Sequence, residues 1–181
     1  RSSDLLVDLM VTHALEYVKI FPGEEVLELH REDVIRVISS RRRFNARAVL
    51  FATGAEYRRL DVPGESRLAG HGVSYCSACD GPIFKGKKAL MVGGGDSAVT
   101  EALHLYNLGV DVTIVHRRGT LRAQKQLVLS LSNSGIPVIY NTEINEVRGK
   151  DRVEEVVLTN NITGEKSAIA VDALFISIGY N

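Results

Sequence analysis

Apolar residues recur at three- and four-residue steps at the head of the chain. Val7, Met10, Val11, Ala14, Tyr17, Val18 and Phe21 fall on one side of a helical wheel, and Asp8, Thr12, Glu16 and Lys19 on the other. That spacing predicts an amphipathic helix, capped within Ser2-Ser3-Asp4 and ended by Pro22-Gly23. Short apolar runs follow at Val26 to His30, Val34 to Ile38 and Ala46 to Ala52, with charged turns between them. They predict three strands. The basic triplet Arg41-Arg42-Arg43 reads as a solvated turn.

Leu60 to Gly64 carries the turn signal Pro63-Gly64 and predicts a domain boundary, after which Arg67 to Tyr75 reads as irregular. Ala89 to Val92 is a short unbroken apolar run, as in a strand buried on both faces. Ala98, Val99, Ala102, Leu103 and Tyr106 form a helical stripe closed by Gly109. Val110 to Val115 then predicts a strand, Leu121 to Leu131 a helix, and Ile136 to Tyr140 a third strand. Alternation of this kind predicts an α/β fold with a parallel sheet and right-handed crossovers. Glu146 to Arg148, Val153 to Thr159 and Lys166 to Val171 predict a small β-meander with a hairpin turn at Asn161 to Glu165. Ala173 to Ile178 predicts a last buried strand.

Composition narrows the picture. Apolar residues make up 45% of 181, enough for a sizeable core, and 22 basic residues balance 22 acidic ones. Such a balance offers no general attraction to nucleic acid or an anionic membrane. No apolar run approaches the roughly 18 residues of a membrane span. No signal sequence is recognisable, and a chain opening on Arg1 reads as a piece of a longer protein. Two cysteines spaced for redox work suit the cytoplasm.

Chemistry concentrates at two places. Gly93-x-Gly95-x-x-Ala98 follows a predicted strand and opens a predicted helix, the context in which this pattern marks a dinucleotide site. Gly93 allows the tight turn, Gly95 clears the path of a pyrophosphate, and Ala98 brings helix and strand close. The helix N-terminus offers free N–H groups to phosphates. The second strand runs into His116-Arg117-Arg118, with Arg122 four residues later and no carboxylate from Thr113 to Gln126. Guanidinium groups suit a 2′-phosphate, so NADPH is expected rather than NADH. A glycine turn without a ligand and a merely solvated basic loop are the plainer alternatives.

Fourteen residues ahead of the turn stands Cys76-x-x-Cys79, followed by Asp80. Such a pair can exchange two electrons as disulfide or dithiol, and a neighbouring carboxyl can move the proton. A zinc site would need four ligands, and only His71 offers a third, so no metal is expected. Two inert buried cysteines are the other alternative.

Cys76-Ser77-Ala78-Cys79-Asp80-Gly81, Gly93-Gly94-Gly95-Asp96-Ser97-Ala98 and His116-Arg117-Arg118, in this order, resemble the low-molecular-weight thioredoxin reductases. Ala52-Thr53-Gly54, Val62-Pro63-Gly64-Glu65 and Ile178-Gly179 resemble them too. The resemblance implies a Rossmann-like NADPH-binding domain inserted within an FAD domain. Residues 1–57 would be part of the FAD domain, 58–178 the NADPH domain with the redox pair, and 179–181 the return. It implies Cys76 as the thiol attacking thioredoxin, Cys79 as the sulfur facing flavin and Asp80 as proton donor. Gly93 to Ala98 (Gly93, Gly94, Gly95, Asp96, Ser97), His116, Arg117, Arg118 and Arg122 would hold NADPH, with Thr53, Gly54, Ile178 and Gly179 near the flavin and the hinges. Electrons would pass from NADPH through FAD and the disulfide to thioredoxin, and a homodimer is implied. The family's other glycine turn is not found before Gly93, so an incomplete form that does not retain FAD or turn over alone is expected. The flavoprotein of alkyl hydroperoxide reductase shares these motifs, and a non-catalytic NADPH-binding module would keep the glycine turn and arginines alone.

Overall fold

A computed structural model describes residues 2–181, and the side chains from Leu5 onward. The chain divides after Thr53 into two units. In the first, α1 (Ser2–Leu15) precedes an antiparallel sheet of β1 (Val26–Arg31), β2 (Ile35–Ser39) and β3 (Arg43–Ala46), in that order. The cap expected at Ser2-Ser3-Asp4 lies outside the described side chains. The helix is shorter than the apolar spacing predicts: its backbone pattern closes with Val18 N–H donating to the Ala14 carbonyl. Pro22 disfavours helical geometry at Phe21, and Phe21 packs instead on Phe44 of β3, with Arg42 stacked over its ring. Nor is the helix one-sided. Leu5, Leu6, Val7, Leu9 and Met10 are all exposed, because apolar residues occupy consecutive positions and not one stripe.

The third strand also lies earlier than Ala46 to Ala52. β3 pairs with β2 from Arg43 opposite Ile38 to Ala46 opposite Ile35, which exhausts the partner strand. Residues 48–52 join no ladder and take no regular structure, Leu50 and Phe51 exposed. The basic turn is solvated as expected, but Arg42 also pairs with the Glu24 carboxylate, to which the Ser39 hydroxyl donates at 2.5 Å.

The second unit contains β4 (Val73–Ser74), α2 (Ser77–Asp80), a 3-10 turn (Gly81–Phe84), β5 (Lys88–Val92), α3 (Asp96–Asn107) and β6 (Asp111–Val115). α4 (Lys125–Ser134), β7 (Val138–Ile139), β8 (Thr142–Arg148), β9 (Glu155–Asn160), β10 (Lys166–Ala170) and β11 (Ala173–Ile176) complete it. A parallel sheet runs β4-β11-β5-β6-β7, and β8, β9 and β10 form the meander. Alternate residues of the parallel strands face opposite ways. Leu90, Val92, Val115, Leu174 and Ile176 pack on Ile144, Val147, Val156 and Leu158 of the meander. Ala89, Met91, Val112, Ile114 and Phe175 pack on Ala98, Val99, Ala102 and Leu105 of α3 and Leu131 of α4. The unit is thus three layers: helices, parallel sheet, antiparallel sheet. Both faces of the central strands are covered, which is why they read as unbroken apolar runs.

Candidate functional site

The glycine turn joins β5 to α3. Gly93 has φ +154°, and a Cβ there would lie 2.3 Å from the Ser177 carbonyl oxygen and 2.5 Å from the Ala98 Cβ. Small residues at 93 and 98 are therefore what let the helix start directly against the strand ends. A Cβ on Gly94 would strike the His116 ring at 2.3 Å, whereas beside Gly95 the space is open. The turn opens on a cleft of about 610 Å³, a size suited to a cofactor.

Gly93 to Ala98, His116, Arg117, Arg122, Ile178 and Gly179 line this cleft together. Arg118 does not line it, nor do Thr53, Gly54, Cys76, Cys79 and Asp80. Arg58, Arg59 and the segment Thr142 to Asn145 join the lining without having been singled out from the sequence. Their strands give no motif, since what brings them there is the pairing of distant segments. Four guanidinium groups face two carboxylates, Asp96 and Glu143, so the cleft favours an anion. Asp96 is turned to Gln124, whose backbone N–H and side-chain amide donate to it at 2.7 and 2.8 Å. Arg122 N–H donates to the Gly94 carbonyl at 2.7 Å. These bonds hold residues 121–124 as a loop, so α4 begins at Lys125 and not at Leu121.

His116 directly follows β6 and is buried beneath the glycine turn. Its Nε2 lies 3.0 Å from the Thr120 carbonyl, which can only accept, so the ring carries a proton on Nε2. Burial pushes its pKa below the usual 6.5, and the charges of Arg118 and Arg122 act in the same direction against the bond to Thr120.

Cys76 and Cys79 form a disulfide at the start of α2. Cys76 caps that helix, its sulfur accepting from Cys79 N–H at 3.2 Å. Cys76 is half-buried and Cys79 exposed, so neither is an inert core thiol. The Ser74 hydroxyl donates to the Asp80 carboxylate at 2.6 Å and accepts from Cys76 N–H at 3.1 Å. One buried serine therefore holds both the carboxylate and the backbone of the first cysteine. A second buried group was not legible as such. Glu65 accepts from the N–H groups of Leu60 at 3.0 Å and Asp61 at 2.7 Å, and from the Tyr75 hydroxyl at 2.7 Å. Burial, then Glu65 itself, pushes the Tyr75 pKa upward. Among the described residues no group of three or more His, Cys, Asp or Glu side chains is placed to hold a metal ion, and no helix is long and apolar enough to cross a membrane.

Comparison with known proteins agrees with this geometry. Residues 3–181 match the family model described as pyridine nucleotide-disulphide oxidoreductase. The chain is 44% identical over 158 residues to a thioredoxin reductase of Treponema pallidum, covering 86% of this chain and 52% of that one. It is 40% identical over 177 residues to a thioredoxin reductase of Bacillus subtilis, covering 96% and 56%. The crystal structure of Lactococcus lactis thioredoxin reductase superposes with a TM-score of 0.73 at 36% identity, covering 88% of this chain and 52% of that one. The Giardia duodenalis thioredoxin reductase superposes with a TM-score of 0.86 at 30% identity, covering 98% and 59%. The chain spans about half the length of the curated relatives it matches.

Proposed function

Since the chain belongs to the pyridine nucleotide-disulphide oxidoreductase family, we propose that it is the NADPH-binding, disulfide-bearing part of a thioredoxin reductase. The observation that carries this reading is the pairing, within one unit, of an arginine-lined cleft at a glycine turn with a half-exposed Cys-x-x-Cys disulfide. The open side of Gly95 and the N-terminus of α3 would receive the pyrophosphate. Arg117 and Arg122 would pair with the 2′-phosphate, Arg118 supporting them from outside the lining. When bound, NADPH supplies a hydride equivalent and FAD relays it. Gly54, Ile178 and Gly179 are the residues of this unit assigned to the flavin side. Only Ile178 and Gly179 line the cleft, so no step is assigned to a flavin site here.

The chain's own sulfurs carry the exchange once reducing equivalents reach them. Two electrons and two protons convert the Cys76–Cys79 disulfide to two thiols. The Cys76 thiolate then attacks a disulfide sulfur of thioredoxin and displaces the other as a thiolate. Cys79 resolves the mixed disulfide, restoring the Cys76–Cys79 bond and releasing reduced thioredoxin. Asp80, the residue after Cys79 and hydrogen-bonded by Ser74, is assigned the proton transfer to the departing thiolate. The same reading places the protein in the cytoplasm, as a homodimer when whole.

Calorimetric titration tests the cofactor assignment. The chain should bind NADP⁺ at least tenfold more tightly than NAD⁺. Replacing Arg117 and Arg122 together with alanine should remove that preference while leaving NAD⁺ binding within about twofold. Equal affinity of the unaltered chain for the two nucleotides would overturn the reading.

A further inference from the structure

The arginines sit on a loop, residues 117–124, that has no regular structure of its own. A flexible loop would have to be ordered when a phosphate binds, and that ordering would subtract from affinity. Here the loop is already tied. Toward its C-terminal end, Arg122 N–H is bonded to the glycine turn and Gln124 to Asp96. At its other end the ties come from the β9–β10 turn of the meander and from Asn141. Asn161, the first residue of the β9–β10 turn, donates from Nδ2 to the Arg117 carbonyl at 3.1 Å. Its own N–H donates to the Asn141 carbonyl at 2.6 Å, and Asn141 N–H in turn donates to the Arg118 carbonyl at 3.2 Å.

The placement of Asn161 is itself fixed. Asn160 accepts at its side-chain oxygen from Ile162 and Thr163 N–H, at 2.9 and 3.1 Å, and Gly164 takes φ +72° to close the turn. The turn therefore holds its shape without the Asn161 side chain, which is exposed and free to serve another segment. The meander thus does more than cover one face of the sheet. We infer that Asn161 is a positioning residue for coenzyme selection: through the Arg117 carbonyl it presets the arginine loop for the 2′-phosphate of NADPH.

This inference rests on the assignment of the cleft to NADPH, and the experiment separates the two. Affinities for NADP⁺ and NAD⁺, and for the fragments 2′,5′-ADP and 5′-AMP, are measured by calorimetry on the chain and on Asn161→Ala and Asn161→Leu. The leucine keeps the branched heavy-atom shape and removes the donor. Both variants should lose about threefold to tenfold in affinity for NADP⁺ and 2′,5′-ADP, the worth of one hydrogen bond. Binding of NAD⁺ and 5′-AMP, and the thermal midpoint, should stay as in the unaltered chain. If the unaltered chain shows no preference for the phosphorylated ligands, the cleft assignment fails and this inference with it. If that preference exists and survives in both variants, or if both ligand classes weaken equally, the inference alone is overturned.

Discussion

His116 illustrates how one side chain can couple two loops. Its ring fills the space a Cβ on Gly94 would need and its Nε2 ties Thr120, so the glycine turn and the arginine loop share a single spacer. The glycines were legible in the sequence because backbone sterics leave few other choices there. The role of Gly94 was not, because it depends on a ring twenty-two residues away. Burial also sets the sign of a pH effect. The folded chain binds the His116 proton less readily than the unfolded chain does. Above the usual value of 6.5 the imidazole is neutral in both states and contributes nothing to pH dependence. As pH falls below it, the unfolded chain is protonated first, and stability declines until His116 titrates in the folded state as well. Imidazole NMR signals followed from pH 8 to 5 should show His116 titrating below the ordinary histidine value. A value at or above it would contradict the burial and hydrogen bonding described here.

At the scale of elements, what the sequence revealed and what it hid divide by the range of the interactions. The strands β5, β6 and β11 and the helix α3 were legible because their apolar spacing reflects layers on both sides. The start of α4 was not, since Asp96 captures Gln124 from 28 residues away. The segment that leads into the core of the second unit was likewise opaque. Glu65 follows a Pro-Gly turn, where a carboxylate is ordinarily solvated, yet it is 1% exposed and organises the backbone of Leu60 and Asp61. Asp61 there takes φ +57°, a geometry that the bonds to Glu65 hold in place. Replacing Glu65 with alanine strips a buried acceptor from the N–H groups of Leu60, Asp61 and Val62 and from Tyr75. It should destabilise the fold by about 3 kcal/mol, read from chemical denaturation at neutral pH. A change under about 1 kcal/mol would mean that water replaces the carboxylate without loss.

Across the whole molecule, stability is unevenly distributed. Among the described residues every fully buried apolar side chain lies between Leu68 and Ile176. The described residues of the first unit include hydrogen-bonded strands but no buried apolar side chain. Amide exchange should therefore be slow in β5, β6 and β11, near the limit of global unfolding, and faster by at least a hundredfold in β1, β2 and β3. Comparable protection in the two sheets would contradict this distribution. The second unit also brings its two ends side by side. The rings of Tyr57 and Tyr180 pack at 5.0 Å in a tilted arrangement, Arg58 N–H donates to the Gly179 carbonyl at 3.0 Å, and Asn181 N–H donates to the Glu56 carbonyl at 2.9 Å. Ends that already meet can be tethered at little cost to the folded state, while closing the ring restricts the unfolded chain. The polypeptide from Glu56 to Asn181 is therefore topologically free to be circularised by a short linker and reopened at an exposed tip such as Lys150-Asp151, with its layers and cleft unaltered.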